Sequence, residues 1–380
     1  MTEQIDKIII TGDILRPDKK IFGNQNPNIT WFYNLFEFFI NKIVKNVTVQ
    51  KIIAVPKNDG FDVEKFYRFY DLEMSIENWI RLYDYTQINV EAENYFSKYF
   101  ENSIVIGFEL PKIFKKIMER KNIFYIEFIT HPIRFLDDIF FGIYSNHEKI
   151  NEILSTLTLS DEDIYALANL RKAGLKRKWD LGIEDNSALI IGQTRVDRSL
   201  IEKGQLLVMN NYRDKLEEIS KNHNKIYFKP HPYEARNKEV QSLLKDLKAE
   251  FINKNIYHLI CQNAIDSVYA ISSSVIEEAK YFGKKAEYLC DTVPGTHYPI
   301  FNDYFYSSFW KEILKVFFPI NEQFNIKIPD KPNRLRDNLG WYWGYHIFEF
   351  DSVYDDIKRQ NRKLILFRLN KLISCFFPKN

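Results

Sequence analysis

Apolar and polar positions alternate between two periods along this chain. Residues 7–11 (KIIIT) form a short β-branched run with polar neighbours, the pattern of a buried strand. Thr30 stands where a helix cap is expected, and Phe32, Leu35, Phe36, Phe39, Ile40 and Ile43 then recur at helical spacing to about residue 45. Residues 51–55 (KIIAV) predict a second strand. Helical patterns follow over about 62–71, 76–85 and 91–100. A strand is expected at 103–108 (SIVIGF), a helix at 111–121, and a strand at 123–129 (IFYIEFI). Ser160 predicts the cap of a helix reaching residue 172.

A basic stretch with Gly174, residues 172–179 (KAGLKRKW), reads as a junction, after which the alternation restarts. Strands are expected at 188–191, 225–228, 267–271 and 286–289, with a short one near 251–253. Helices are expected at 212–222, 237–248 and 275–282, with a helical turn near 257–263. Strands alternating with helices of 10–15 residues predict an α/β fold with parallel sheets. Two such halves place a cleft where strand C-termini face each other. The pattern divides into 1–178, 179–345 and a helical tail at 346–380.

Composition narrows the chemistry. Only 13 of 380 residues are glycine, with no G-x-G and no pair at Walker A spacing. The dinucleotide fingerprint and the P-loop are therefore excluded. Aromatics fill the space instead: 31 Phe, 23 Tyr and 6 Trp. A net charge of +2 makes no general case for nucleic acid. Cys261, Cys290 and Cys375 are too dispersed for a disulfide framework or a zinc site, which predicts a cytoplasmic protein. No apolar stretch is long enough to span a bilayer. Residues 357–380 carry seven Lys/Arg, no acidic residue and an apolar stripe. That pattern suits peripheral contact with an anionic inner-membrane surface, or equally a docked terminal helix with a solvated basic face.

Four clusters carry candidate chemistry. Lys229-Pro230-His231-Pro232 follows a predicted strand, and its prolines stiffen a turn from which Lys229 and His231 can meet a phosphate or nucleotide. Ser272, Ser273 and Ser274 stand between a strand and a helix, where amides and hydroxyls bind phosphate. Ser274 with Glu277 also has capping-box spacing. The segment 193–197 (QTRVD) places Asp197 as a nucleophile or base, or as the ion-pair partner of Arg195. The segment 127–138 (EFITHPIRFLDD) brings Glu127, His131, Arg134, Asp137 and Asp138 toward the cleft from the other half. A buried Glu127 would suit a general acid or base, and the alternative is a Glu on an exposed strand face. Asp137 and Asp138 fit a helix's first turn equally well. No HExxH, G-x-S-x-G or C-x-x-C occurs.

QTRVD, KPHP and SSS in this order, with GDILRP (12–17) and HPIRFLDD (131–138), resemble bacterial retaining β-Kdo glycosyltransferases of capsule and lipopolysaccharide synthesis. The resemblance implies a GT-B architecture: two Rossmann-like domains, a cleft between them and a C-terminal helical tail. It implies CMP-Kdo as donor, a glycan or glycolipid acceptor, and neither cofactor nor metal, because a single donor phosphate needs no bridging ion. By similarity, Asp197 is the covalent nucleophile and Glu127 the acid/base, and His231 stabilises the leaving phosphate. Gln193, Lys229, Ser272 to Ser274 and Glu277 lie on the donor side, Arg195 meets the sugar carboxylate, and His131 and Arg134 lie on the acceptor side. A sialyltransferase or polyol-phosphate transferase with the same CMP site, and a non-catalytic component of an envelope-assembly complex, are the alternatives.

Overall fold

A computed structural model describes residues 5–17, 25–55, 60–176, 181–231, 238–291, 293, 298–301, 303–329 and 331–339. Its centre is two largely parallel sheets. In the first, the strand Lys7–Gly12 lies between Thr48–Lys51 and Ser103–Phe108, both parallel to it. Phe124–Thr130 adds in parallel beyond Ser103–Phe108. Phe141–Ser145 and then Ile300–Phe301 close that edge antiparallel. The pleat sorts side chains by a period of two. Ile8, Ile10, Ile104, Ile106, Ile126 and Phe128 face one core, while Ile9, Val105 and Tyr125 face the other.

The aromatic content fills these faces. Phe32 lies 5.1 Å from Phe36, 5.2 Å from Phe128 and 5.3 Å from Phe108, centroid to centroid. Trp310, far along the chain, stacks on Phe128 at 5.9 Å. Such pairs add about 0.5–1.5 kcal/mol each beyond area burial.

The second sheet is wholly parallel. Ser187–Ile191 is central, between Lys225–Lys229 and Ile265–Ala270. Glu250–Phe251 and Lys285–Tyr288 form the edges. Again one face (Leu189, Ile191, Val268, Ala270) and the other (Ala188, Ile190, Ile226, Phe228) enter separate cores.

Several expectations are corrected. The first helix is Asn26–Ile43 and starts before Thr30, with Pro27 in its first turn, where a fixed φ favours helix. Thr30 instead accepts from Lys51 Nζ at 3.1 Å. The 51–55 run does not form one strand. The Asn26 amide takes both backbone bonds of Ala54, at 2.7 and 2.9 Å, so Ala54–Val55 leaves the sheet and pairs with Phe61–Asp62. The strands Phe141–Ser145 and Ile300–Phe301 were not expected. Residues 300–318, assigned by pattern to the second unit, pack with the first sheet through Phe301, Tyr304, Phe309 and Trp310.

The helix Asp161–Lys176 runs through Gly174, and Ser160 Oγ accepts from Asp163 N at 3.1 Å as its cap. Residues 177–179 of the expected junction, and the basic stripe at 357–380, lie outside the described residues. Among those described, no helix is long and apolar enough to cross a membrane.

Candidate functional site

In each sheet the strand order reverses beside an interior strand, Lys7–Gly12 in the first and Ser187–Ile191 in the second, and ligands of open α/β sheets gather beyond the C-terminal ends at that point. In the second sheet, Ile191 is level with Lys229 and Ala270, so three loops leave side by side. Gly192 permits their contact. A Cβ there would stand 2.8 Å from the Phe228 ring and 3.0 Å from His231 N. The Gln193 amide donates to Ser272 Oγ at 2.8 Å and accepts from Ser272 N at 2.7 Å. Ser272 Oγ donates to Ser199 Oγ at 3.1 Å. The QTRVD and SSS segments are thereby tied together, with Pro230 and His231 packed against Gly192.

A cavity of about 340 Å³ opens here. On one side it is lined by Gln193, Thr194, Asp197, Arg198, Ser199, His231 and Ser272 to Ser274. Burial pushes His231 down to about 4, with Lys229 acting the same way against the pull of Asp197, so the imidazole is neutral near pH 7. Burial also lowers Lys229 to about 8. Asp197 Oδ1 accepts from Ser199 N at 2.9 Å, which holds its carboxylate at the start of the short turn Arg198–Leu200.

The first sheet supplies the rest of the wall. Asp13 and Arg16 follow Lys7–Gly12, Glu109 follows Ser103–Phe108, and Thr130 ends Phe124–Thr130. Asp13 Oδ2 accepts from the Trp79 indole at 3.0 Å, and Oδ1 from Leu15 N at 3.2 Å. Burial raises Asp13 to about 6 against the opposing pull of the indole, Arg16, the Leu15 amide and Arg198. The Arg16 guanidinium lies 5.0 Å from the Trp79 ring centroid, and its Nε is buried without a hydrogen-bond partner among the described residues. Glu109, held at φ 56°, pairs with Arg198 at 3.0 Å, so this ion pair joins loops of the two sheets. Burial opposes the Arg198 charge, but Glu109 and Tyr83 outweigh it and raise its pKa, so Arg198 stays cationic.

Of the residues expected at the site, Gln193, Asp197, His231, Ser272, Ser273, Ser274 and Arg134 line the cavity. Glu127, Arg195, Lys229, Glu277 and His131 do not. Glu127 lies in mid-strand, short of the C-terminal end, and accepts from Lys115 Nζ at 2.8 Å and the Tyr298 hydroxyl at 2.7 Å. It is buried, but in an ion pair behind the wall. Arg195 lies outside the lining, and the arginines that line the cavity are Arg16, Arg134 and Arg198. Glu277 pairs with Lys280 at 2.8 Å. Ser274 has helical φ and ψ and makes no side-chain cap bond, so the expected capping box does not form.

His131 is buried, pushed down to about 3 chiefly by burial, and holds Ile133 N and Tyr298 O. Asp137 pairs with Arg171 at 2.8 Å. Asp138 caps the distant helix Arg334–Leu339 by accepting from Leu335 N and Arg336 N. Arg336 in turn donates to the Arg134 and Leu136 carbonyls, which fixes the loop that presents Arg134. Asp13, Arg16, Glu109 and Arg198 were missed. Asp13 had a signal: it stands just past a predicted strand, inside GDILRP. Trp79 is one of the first-half aromatics, with Trp31, Phe32 and Tyr67, that could stack on a sugar, although a helical tryptophan more often reads as core.

The sequence profile of the alpha-2,8-polysialyltransferase family matches residues 30–291, more than half of the chain. No curated protein matches in sequence. Among solved structures, the beta Kdo 2,7 transferase KpsC of Thermosulfurimonas dismutans aligns with 81% of this chain and 88% of its own, at 13% identity and a TM-score of 0.39. A dipicolinate synthase chain from Bacillus halodurans aligns with 82% of this chain and 98% of its own, at 11% identity and a TM-score of 0.18.

Proposed function

Because the chain belongs to the alpha-2,8-polysialyltransferase family, we propose that it is a glycosyltransferase of surface-polysaccharide synthesis. Its donor is a CMP-linked acidic keto-sugar, and its acceptor is a glycan hydroxyl. The family name favours a sialic acid as the sugar. The observation that carries this reading is the composition of the cavity wall: neutral His231 and the Ser272 to Ser274 hydroxyls face a space also lined by Arg16 and Arg198.

The residues divide the work by chemistry. The Ser273 and Ser274 hydroxyls and the His231 ring donate hydrogen bonds to a single phosphate, and donors aimed at charge that develops on a leaving group are often worth a few kcal/mol each. Gln193 holds Ser272, whose own hydroxyl hydrogen goes to Ser199, and so fixes the loop that carries them. The unpartnered Arg16 Nε–H suits the sugar's own carboxylate, a charge-assisted bond in a buried setting. Arg198, held by Glu109, adds fixed positive charge nearby. No metal is required by one phosphate met in this way.

A second reading, Kdo transfer with retention, draws on Asp197, whose carboxylate lines the same cavity. Asp197 would attack the anomeric carbon as CMP leaves, and the acceptor hydroxyl would then displace it. Calorimetry with CMP tests the shared donor site. Binding that weakens at least tenfold in His231→Ala is expected, and unchanged affinity would overturn the site. Turnover of CMP-sialic acid against CMP-Kdo, with the product anomer read by NMR, separates the two readings.

A further inference from the structure

We propose that Asp13 is the general base that takes the proton from the acceptor hydroxyl. This rests on the glycosyltransferase reading above and names a residue of the same site. Three observations place it there. Asp13 is the first residue past Lys7–Gly12, the interior strand beside which the first sheet's strand order reverses. It lines the cavity, facing a space whose other wall holds His231 and the serines. Its carboxylate is gripped from behind, by the Trp79 indole on Oδ2 and by Leu15 N on Oδ1, and each oxygen keeps a further lone pair for a substrate proton.

Among the carboxylates of the wall, Glu109 is occupied by Arg198, and Asp197 is fixed among the donor-side loops. Glu127 is sealed in its pair with Lys115. Trp79 is a positioning residue. It is fully buried on the helix Ile76–Tyr83 and touches the base, with Arg16 over its ring.

The step balances. The acceptor oxygen forms its bond to the anomeric carbon while its proton passes to Asp13. The bond from that carbon to the donor phosphate oxygen, or to Asp197 in the retaining route, breaks with its electron pair. The departing group carries the negative charge, and Asp13 later returns the proton to water.

The charged and titratable groups facing Asp13 are Arg16 and Arg198, which favour its ionised form, and the phenols of Tyr67 and Tyr83, which burial keeps protonated. Burial holds Asp13 near 6, close to where a base is effective and still ionised at neutral pH. Transfer should therefore fall on the acid side with a midpoint near 6.

The test uses the full chain and three measurements. Asp13→Asn should lower kcat for transfer by about 10²- to 10⁴-fold, with CMP affinity unchanged within about twofold. Trp79→Phe removes a donor that favours the carboxylate, so its acid limb should move up by roughly half to one pH unit. Circular dichroism of each variant establishes that it folds. Asp13→Asn retaining wild-type kcat, or an acid limb unmoved in folded Trp79→Phe, would overturn the assignment while CMP binding by wild type left the donor reading intact. If wild type itself bound no CMP, the donor reading would fail first, and this assignment with it.

Discussion

Asp13→Asn has a consequence for stability that is independent of any substrate. Burial lifts the native carboxyl from 3.8 to about 6. The native state therefore binds more protons than the unfolded chain between these values. Stability must then fall as pH rises through that window, the reverse of a salt-bridged aspartate. A shift of about 2 units at roughly 1.4 kcal/mol per unit gives about 3 kcal/mol of strain, fully present at neutral pH. Asparagine has no such titration. Its loss of one acceptor for Trp79 or Leu15 costs roughly 1–3 kcal/mol at every pH, so the pH-dependent difference isolates the buried charge.

About half of the 3 kcal/mol develops between pH 5 and 8. For 380 residues the unfolding entropy is about 0.8 kcal/mol/K, so the variant should gain about 2 °C in Tm relative to wild type over that interval. Scanning calorimetry of both proteins at pH 5, 6, 7 and 8 measures this. Parallel Tm curves, or a variant that loses ground as pH rises, would refute the burial argument. A stabilised but inactive variant is what a strained functional carboxylate predicts, and a structural aspartate does not.

Other changes separate the wall from its support. Glu127→Ala strands Lys115 and the Tyr298 hydroxyl, so it should cost about 3 kcal/mol in urea unfolding while the acid limb of transfer stays near 6. A limb that vanished instead would return the base role to Glu127. Gly192→Ala drives a methyl into the Phe228 ring and the His231 backbone, and should weaken CMP binding at least tenfold by calorimetry with the fold retained. Gln193→Ala cuts both bonds to Ser272 and should lower CMP affinity by about 1–3 kcal/mol. Arg195→Ala, outside the cavity lining, should leave CMP affinity unchanged within twofold, whereas Arg16→Ala should raise KM for the donor about tenfold or more.

The alternation of strand and helix was legible because it is local. The KIIIT and SIVIGF runs, the helix after Ser160 and the order of the parallel strands and their connecting helices from 187 to 288 follow from side-chain period, caps and β-branched runs, whereas the short hairpin Ile201–Glu202 with Gln205–Leu206 does not. So did the donor-side motifs. QTRVD, KPHP and SSS each follow a predicted strand, and a parallel sheet necessarily brings neighbouring C-terminal ends together. Glycine is scarce at the cavity too: Gly192 is spent on one close approach, and the lining is made of hydroxyl, imidazole, carboxylate and guanidinium side chains.

What pattern could not supply was long-range. The Phe141–Ser145 and Ile300–Phe301 edge pairs residues about 160 apart, and no local period announces a partner so distant. The split at Ala54 depends on a single amide, Asn26. Glu127 and Asp13 are both carboxylates in or beside an apolar strand run. One lies short of the strand end, where Lys115 reaches it, and the other lies just past a strand end, facing a cavity. Composition therefore excluded the glycine-built nucleotide cradles and pointed to hydroxyls, an imidazole and carboxylates as candidates. Only the packed structure decided which carboxylate meets the cavity, because burial and neighbours, not residue type, set where a charge can be used.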